Sequence, residues 1–357
     1  MSDRAQRLAA RLPELELDAL VVSSLVNVRY LTGYTGSNGL VLLGSQLRVF
    51  MTDFRYSEQA AAEVGDAFER RIVAQELIDA VPELLAGQRL RLGFEDAHLS
   101  VRAHARLREL LGDGVELVAA GDPVEQLRAI KEPEEVQRIA RAAALADEAL
   151  EEVLGQGLVG RTERAVATAL SRAMIDRGAR RDSFDPIVAA GPHGALPHAE
   201  PREVEIGAGQ LVVIDWGAEL DGYCSDCTRT VATGDPGEDA RAIYELVAEA
   251  QRVGLGALAP GASGRDVDAA ARAVIDGAGH AEHYGHGLGH GVGLEIHEGP
   301  RLSQRSDSVL CAGNVVTVEP GVYLPGRFGV RIEDLAVVTE SGARVLSSLR
   351  KDLWIVG

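Results

Sequence analysis

Residues 210–232 read QLVVIDWGAELDGYCSDCTRTVA, and residues 314–338 read NVVTVEPGVYLPGRFGVRIEDLAVV. Each stretch begins with a short β-branched run, crosses a segment containing Gly or Pro, and returns through a second apolar run, which is the pattern of a β-hairpin. Each also sets two acids among apolar neighbours: Asp215 and Asp226 in the first, Glu319 and Glu333 in the second. A turn centred on 220–221 places Asp226 directly across from Asp215, whereas an Asp-Gly turn at 221–222 makes them diagonal neighbours. Both registers leave the two carboxylates on one face. Glu319 and Glu333 are symmetric about Gly326, so the second hairpin pairs them in the same manner.

Upstream of each hairpin lies a similar helical segment. GRTERAVATALSRAMID (160–176) and GASGRDVDAAARAVID (261–276) share Ala169/Ala269, Arg172/Arg272, Ala173/Ala273, Ile175/Ile275 and Asp176/Asp276 at a constant offset. A strong helix is expected to begin at Pro133, where Val136, Ile139, Ala143, Ala146, Leu150 and Val153 recur at helical spacing and form an apolar stripe. The second half of the chain therefore reads as a duplicated helix-helix-hairpin unit, with two carboxylates from each copy.

Acids near turns are often solvent-facing, but Ile214, Val318 and Ile332 flank these as if on buried strands. Buried together, four carboxylates repel one another and retain protons unless cations neutralise them; two divalent ions balance the charge. A nitrogen ligand is offered by YGHGLGHGVGLEIHEGP (284–300), which holds His286, His290 and His297. Gly285, Gly287, Gly289, Gly291 and Gly293 fill alternate positions, which argues for extended backbone closely approached by another group. One imidazole with four carboxylates is an oxygen-rich set that suits Mn²⁺ or Co²⁺, with Zn²⁺ also open. Such a pair activates water and polarises a carbonyl, so the site points to hydrolysis. Cys224 and Cys227 form a CxxC, readable as a redox pair or half a zinc site; lacking a second pair, they read better as small buried hydrophobes.

At 357 residues the chain is long enough for two domains. From Leu15 to about Val118, short apolar runs (ALVVSSL, GLVLL, RVFMTD, LRLGFED) alternate with amphipathic stretches, an α/β character. The charged, proline-bearing AAGDPVEQLRAIKEPEE then marks a boundary near 125, giving domains 1–125 and 126–357. A net charge of −18 opposes binding to a phosphate backbone, so nucleic acid is excluded as a partner. No stretch reads as a secretory signal or membrane span, and three cysteines fit a reducing cytoplasm.

Taken together, LRAIKEPEE, SFDPIVAAGPHGALPH, VVIDWGAELDGYCSDCTRT, HGLGHGVGLEIHEGP, TVEPGVY and GVRIED resemble the pita-bread (M24B) metallopeptidases, specifically the Xaa-Pro branch of prolidase and aminopeptidase P. Upstream, NVRYLTGYTGSNG and MTDFRY resemble the creatinase-like domain that accompanies this branch. The resemblance implies an α+β fold: a C-terminal pita-bread domain with an internal duplication, preceded by a smaller α/β creatinase-like domain. It implies metal ligands Asp215, Asp226, His290, Glu319 and Glu333, with Asp226 and Glu333 bridging two divalent ions, Mn²⁺ foremost and Co²⁺ or Zn²⁺ as alternatives. Glu319 becomes the proton shuttle, with His297 and His198 also catalytic, and His198, His286, His297 and Arg331 surround the substrate.

The activity so implied is hydrolysis of Xaa-Pro bonds by a cytoplasmic homodimer. The compact length favours a dipeptidase over an aminopeptidase acting on longer peptides. Arg29, Arg48 and Arg55 are candidates to meet the proline carboxylate. A creatinase-like hydrolase would break the ligand set, and a methionine aminopeptidase would lack the N-terminal domain. A catalytically inactive peptide-binding relative is opposed by the complete set of acids and histidines.

Overall fold

A computed structural model describes residues 4–85 and 89–356. The chain divides after Arg128 into two compact units. This falls three residues beyond the expected boundary because the helix Pro123–Arg128 belongs with the first unit, where Arg128 Nη1 donates to Asn27 Oδ1 at 2.7 Å.

In the first unit, β1 (Ala19–Val22), β2 (Leu40–Gly44), β3 (Arg48–Thr52), β4 (Glu69–Ile72), β5 (Leu90–Phe94) and β6 (Val115–Ala119) make one mixed sheet in the order β4-β3-β2-β1-β5-β6. The four apolar runs read from the sequence are β1, β2, β3 and β5, whose Val21, Leu42, Val49, Met51 and Leu92 are fully buried. Strand β4, ERRI, carries no apolar alternation; it lies at the sheet edge with all four residues exposed, where charge discourages pairing with another chain.

The second unit opens with α1 (Pro133–Gly155), capped by Glu132 and Glu135 in a reciprocal box with proline in the first turn. Its expected stripe is buried at every position from Val136 to Val153. α1 packs with α2 (Glu163–Asp176), and α3 (Glu238–Gly256) packs with α4 (Gly264–Gly277). Beside the first helix pair run β7 (Ile187–Ala190), β8 (Leu211–Trp216), β9 (Ala218–Leu220), β10 (Tyr223–Cys224) and β11 (Cys227–Ala232). With the second pair come β12 (Gly289–Gly291), β13 (Glu298–Leu302), β14 (Val315–Val318), β15 (Gly321–Leu324), β16 (Phe328–Arg331) and β17 (Asp334–Thr339). Helix, helix, hairpin thus occurs twice, as the duplication requires.

Both hairpins keep their register through a break. In the first, Asp215 pairs with Thr228 and Leu220 with Tyr223, so the turn is Asp221–Gly222, with φ of 53° and 85°. Two consecutive positive φ values define a tight hairpin turn for which Asp-Gly is suited. Asp215 and Asp226 are accordingly diagonal. In the second, Val318 pairs with Asp334 and Gly321 with Arg331, which sets Glu319 opposite Glu333 at the gap between β14/β17 and β15/β16. Asp226, Glu319 and Glu333 therefore fall where a ladder is interrupted, while Asp215, one residue from the end of β8, is still paired with Thr228 and Ile187. No helix among the described residues is long and apolar enough to cross a membrane.

Candidate metal centre and substrate pocket

Asp215 is the penultimate residue of β8, Asp226 lies between β10 and β11, and Glu333 lies between β16 and β17; one carboxylate oxygen of each comes within 4.8 Å of the others. His290, on β12, extends Nε2 to 3.4 Å from both Asp226 Oδ2 and Glu319 Oε1. Three of the expected residues thus cluster directly, and His290 links Glu319 to them.

Glycine makes this approach possible. A Cβ on Gly289 would strike the Thr317 carbonyl, and one on Gly291 would strike the Gly299 carbonyl, so β12 packs against its neighbours only without side chains at those positions. Of the five alternating glycines, Gly289 and Gly291 lie in extended strand as the alternation implied, while Gly285, Gly287 and Gly293 lie outside it.

Threonines orient the acids symmetrically. Thr228 Oγ1 donates to Glu333 Oε2 at 2.7 Å, and Thr317 Oγ1 donates to Glu319 Oε1 at 3.1 Å. Arg331 Nη2 holds Asp215 Oδ2 at 2.7 Å. What these contacts leave over is diagnostic: Asp215 Oδ1 and Glu333 Oε1 are buried without a hydrogen-bond partner. His290 Nδ1 donates to the Gly291 carbonyl at 3.1 Å, so its bare Nε2 lone pair faces carboxylate oxygens. Two orphaned carboxylate oxygens, and an imidazole lone pair held 3.4 Å from carboxylate oxygens of Asp226 and Glu319, are unfavourable unless a cation lies among them, so the residues fit a divalent metal.

The electrostatics agree. Burial, then the neighbouring acids, push the Asp226 and Glu333 carboxyls well above the usual range, and burial pushes Glu319 up to about 7 against the pull of Arg331. Burial holds His290 down to about 3, keeping the imidazole neutral. Such acids give up their protons when cations replace them.

A cavity of about 530 Å³ opens over this cluster, and all nine expected site residues line it. His297 stands edge-on to His290 with ring centroids 4.4 Å apart, and His198 is exposed on the loop 191–202. Phe184, Pro186, Ile187 and Ile296 supply an apolar wall. Two residues expected beside the substrate are engaged by the protein. Arg331 donates to Asp215, Thr228, the Pro197 carbonyl and the Tyr323 hydroxyl. His286 donates through Nδ1 to the Gly287 carbonyl at 2.8 Å, leaving Nε2 to accept from Tyr323 at 2.9 Å. His286, Tyr323 and Arg331 thus form a chain that ends on Asp215.

Arg301, which also lines the cavity, was not singled out in the sequence. It is the cross-strand partner of His290, a pairing that only the β12/β13 register reveals. Thr228 and Thr317 were likewise unmarked, although each lies two residues from a ligand. In the first unit, Arg55 is bound by Asp53 through two hydrogen bonds.

Comparison with known proteins agrees with this geometry. Residues 137–340 match the model of metallopeptidase family M24, and residues 4–130 match that of the creatinase/prolidase N-terminal domain. An uncharacterised peptidase of Bacillus subtilis is 42% identical over 96% of this chain and 97% of its own length. Among solved structures, an Xaa-Pro dipeptidase from Bacillus anthracis superposes with a TM-score of 0.95 at 39% identity, covering 99% of both chains. An X-Pro aminopeptidase from Thermotoga maritima gives 0.90 at 34% identity, covering 99% of this chain and all of that one. The chain belongs to metallopeptidase family M24, with a creatinase/prolidase-type N-terminal domain and a pita-bread catalytic domain.

Proposed function

We propose that this chain is an Xaa-Pro dipeptidase using two divalent cations held by Asp215, Asp226, His290, Glu319 and Glu333. The observation that carries this reading is the pair of partnerless buried oxygens on Asp215 and Glu333, together with the bare Nε2 of His290 facing Asp226 and Glu319, in the lining of a cavity sized for a short peptide. Full-length likeness to the Bacillus anthracis Xaa-Pro dipeptidase supports proline specificity. Likeness to the Thermotoga maritima X-Pro aminopeptidase favours a second reading, in which longer peptides are cut.

Divalent cations bound there would polarise the scissile carbonyl and acidify water. The remaining work belongs to side chains. An Xaa-Pro bond has no N–H and its ring narrows the approach, so the apolar wall must orient the substrate first. His297 donates to the developing oxyanion, worth roughly 3–4 kcal/mol if fully preorganised, and His198 contacts the bound peptide. Glu319, which lines the cavity, takes the proton released by the attacking water and passes it to the prolyl nitrogen as the C–N bond breaks. Arg331 and Thr228 keep Asp215 and Glu333 aimed.

The oxygen-rich donor set favours Mn²⁺ over Zn²⁺. Three free cysteines are consistent with a cytoplasmic protein, and the resemblance to prolidases implies a homodimer. Turnover of Xaa-Pro dipeptides and tripeptides after chelation and reloading with Mn²⁺, Co²⁺ or Zn²⁺ tests the reading. Fastest cleavage of dipeptides with Mn²⁺ is expected. Preference for tripeptides transfers the assignment to an aminopeptidase, and absence of both turnover and bound metal overturns it.

A further inference from the structure

Glu163 opens α2 and has no part in the metal cluster, yet its carboxylate is only 1% exposed. It gathers donors from two places in the chain. Oε1 accepts the Ala190 N–H at 2.9 Å, and Oε2 lies 2.9 Å from His193 Nδ1, which donates to it. From further along, Oε2 accepts the Arg202 N–H at 3.0 Å and Nε at 3.1 Å, and Oε1 accepts Nη2 at 3.2 Å. Ala190 is the last residue of β7. Between it and Arg202 the chain passes the cavity with Pro197, His198 and Ala199, and the Pro197 carbonyl accepts from Arg331. One buried carboxylate therefore ties together both ends of the loop that presents His198.

We propose that Glu163 is a positioning residue for substrate recognition, clamping the loop 190–202 so that His198 meets the peptide. This rests on the role given to His198 above. Burial alone would raise the Glu163 carboxyl, but Arg202, the two backbone N–H groups and His193 outweigh it and leave it below the ordinary glutamate value. The clamp is thus an anion at neutral pH. Glutamine at this position keeps the volume, but its amide nitrogen cannot accept and must face one of these donors. A buried pair or network broken from one side loosens its surroundings, and small misplacements near a reacting group carry large kinetic penalties.

A double-mutant cycle on dipeptide hydrolysis tests this. Glu163→Gln is expected to lower kcat/KM about 10–100-fold, mainly through KM, with metal content retained. In a His198→Ala background the same substitution should change kcat/KM by no more than about twofold. Arg202→Gln, on a half-exposed side chain, should reproduce the effect in part should Glu163→Gln not fold. Equal losses in both backgrounds, or a folded Glu163→Gln with native KM, overturn the clamp while leaving the dipeptidase reading intact. Full activity in His198→Ala overturns the assigned role of His198 and the clamp with it.

Discussion

Thr228 and Glu333 come from opposite copies of the duplicated unit, yet they are joined twice: Thr228 Oγ1 donates to Glu333 Oε2 at 2.7 Å, and the Glu333 N–H donates to the Thr228 carbonyl at 3.0 Å. The contact links the two hairpins at the metal cluster and sets which Glu333 oxygen remains free. Groups that orient a ligand are often as consequential as the ligand, because they fix its direction before a cation arrives.

Thr228→Val should therefore leave every ligand in place and still weaken metal retention by about 10–100-fold. Metal titration of the chelated protein measures it. Native affinity in the variant would show that Glu333 is aimed by its backbone alone.

Gly289 is expected to tolerate no side chain. The Cβ of Gly289→Ala would meet the Thr317 carbonyl and lie 2.7 Å from Thr317 Oγ1, the atom that also accepts the His290 N–H and orients Glu319. A stability loss of about 3 kcal/mol is expected, with loss of bound metal although no ligand has changed. Denaturant unfolding and metal content together check this, and a variant with native values of both refutes it.

Lys131, in the AIKEPEE segment, forms an ion pair with Glu298 at 3.0 Å, their side chains 1% and 5% exposed. Glu298 follows His297 directly and also accepts the Glu295 N–H at 3.0 Å. Lys131→Met leaves a buried carboxylate without its cation and should cost about 3–5 kcal/mol, while adding Glu298→Gln should recover part of that loss. No recovery in the double variant would mean that the lysine stem, not its charge, stabilises this region.

Two buried carboxylates should respond to pH in opposite senses. Glu163 lies below its ordinary value of 4.5 in the fold, so its contribution is present above that value and is lost as pH falls through the folded one. Glu95 is raised by burial, despite bonds from Asn27, Ser23 and Ser24, so its contribution is complete below 4.5 and is lost as pH rises through the folded value. Between about pH 7 and about pH 4, the stability advantage of the native chain over Glu163→Gln should shrink, and that over Glu95→Gln should grow. Thermal midpoints of the three proteins across that interval decide the matter; parallel curves would show that neither group is perturbed.

Local pattern was enough for the duplication, the hairpins and the pairing of four acids, because these depend on short-range regularities: apolar periodicity, acids symmetric about a turn, and glycine at alternate positions. The choice of His290 among three histidines came from family resemblance. The sequence left open whether Asp215 and Asp226 are opposed or diagonal, and the Asp221–Gly222 turn resolved that. Only the tertiary structure decided that Arg301 faces the cavity, that His286 and Arg331 are held by Tyr323 and Asp215, and that Glu163 binds both ends of the His198 loop. These contacts join residues remote in the chain. Their partners are selected by how strands and helices pack, and local pattern carries no record of that selection.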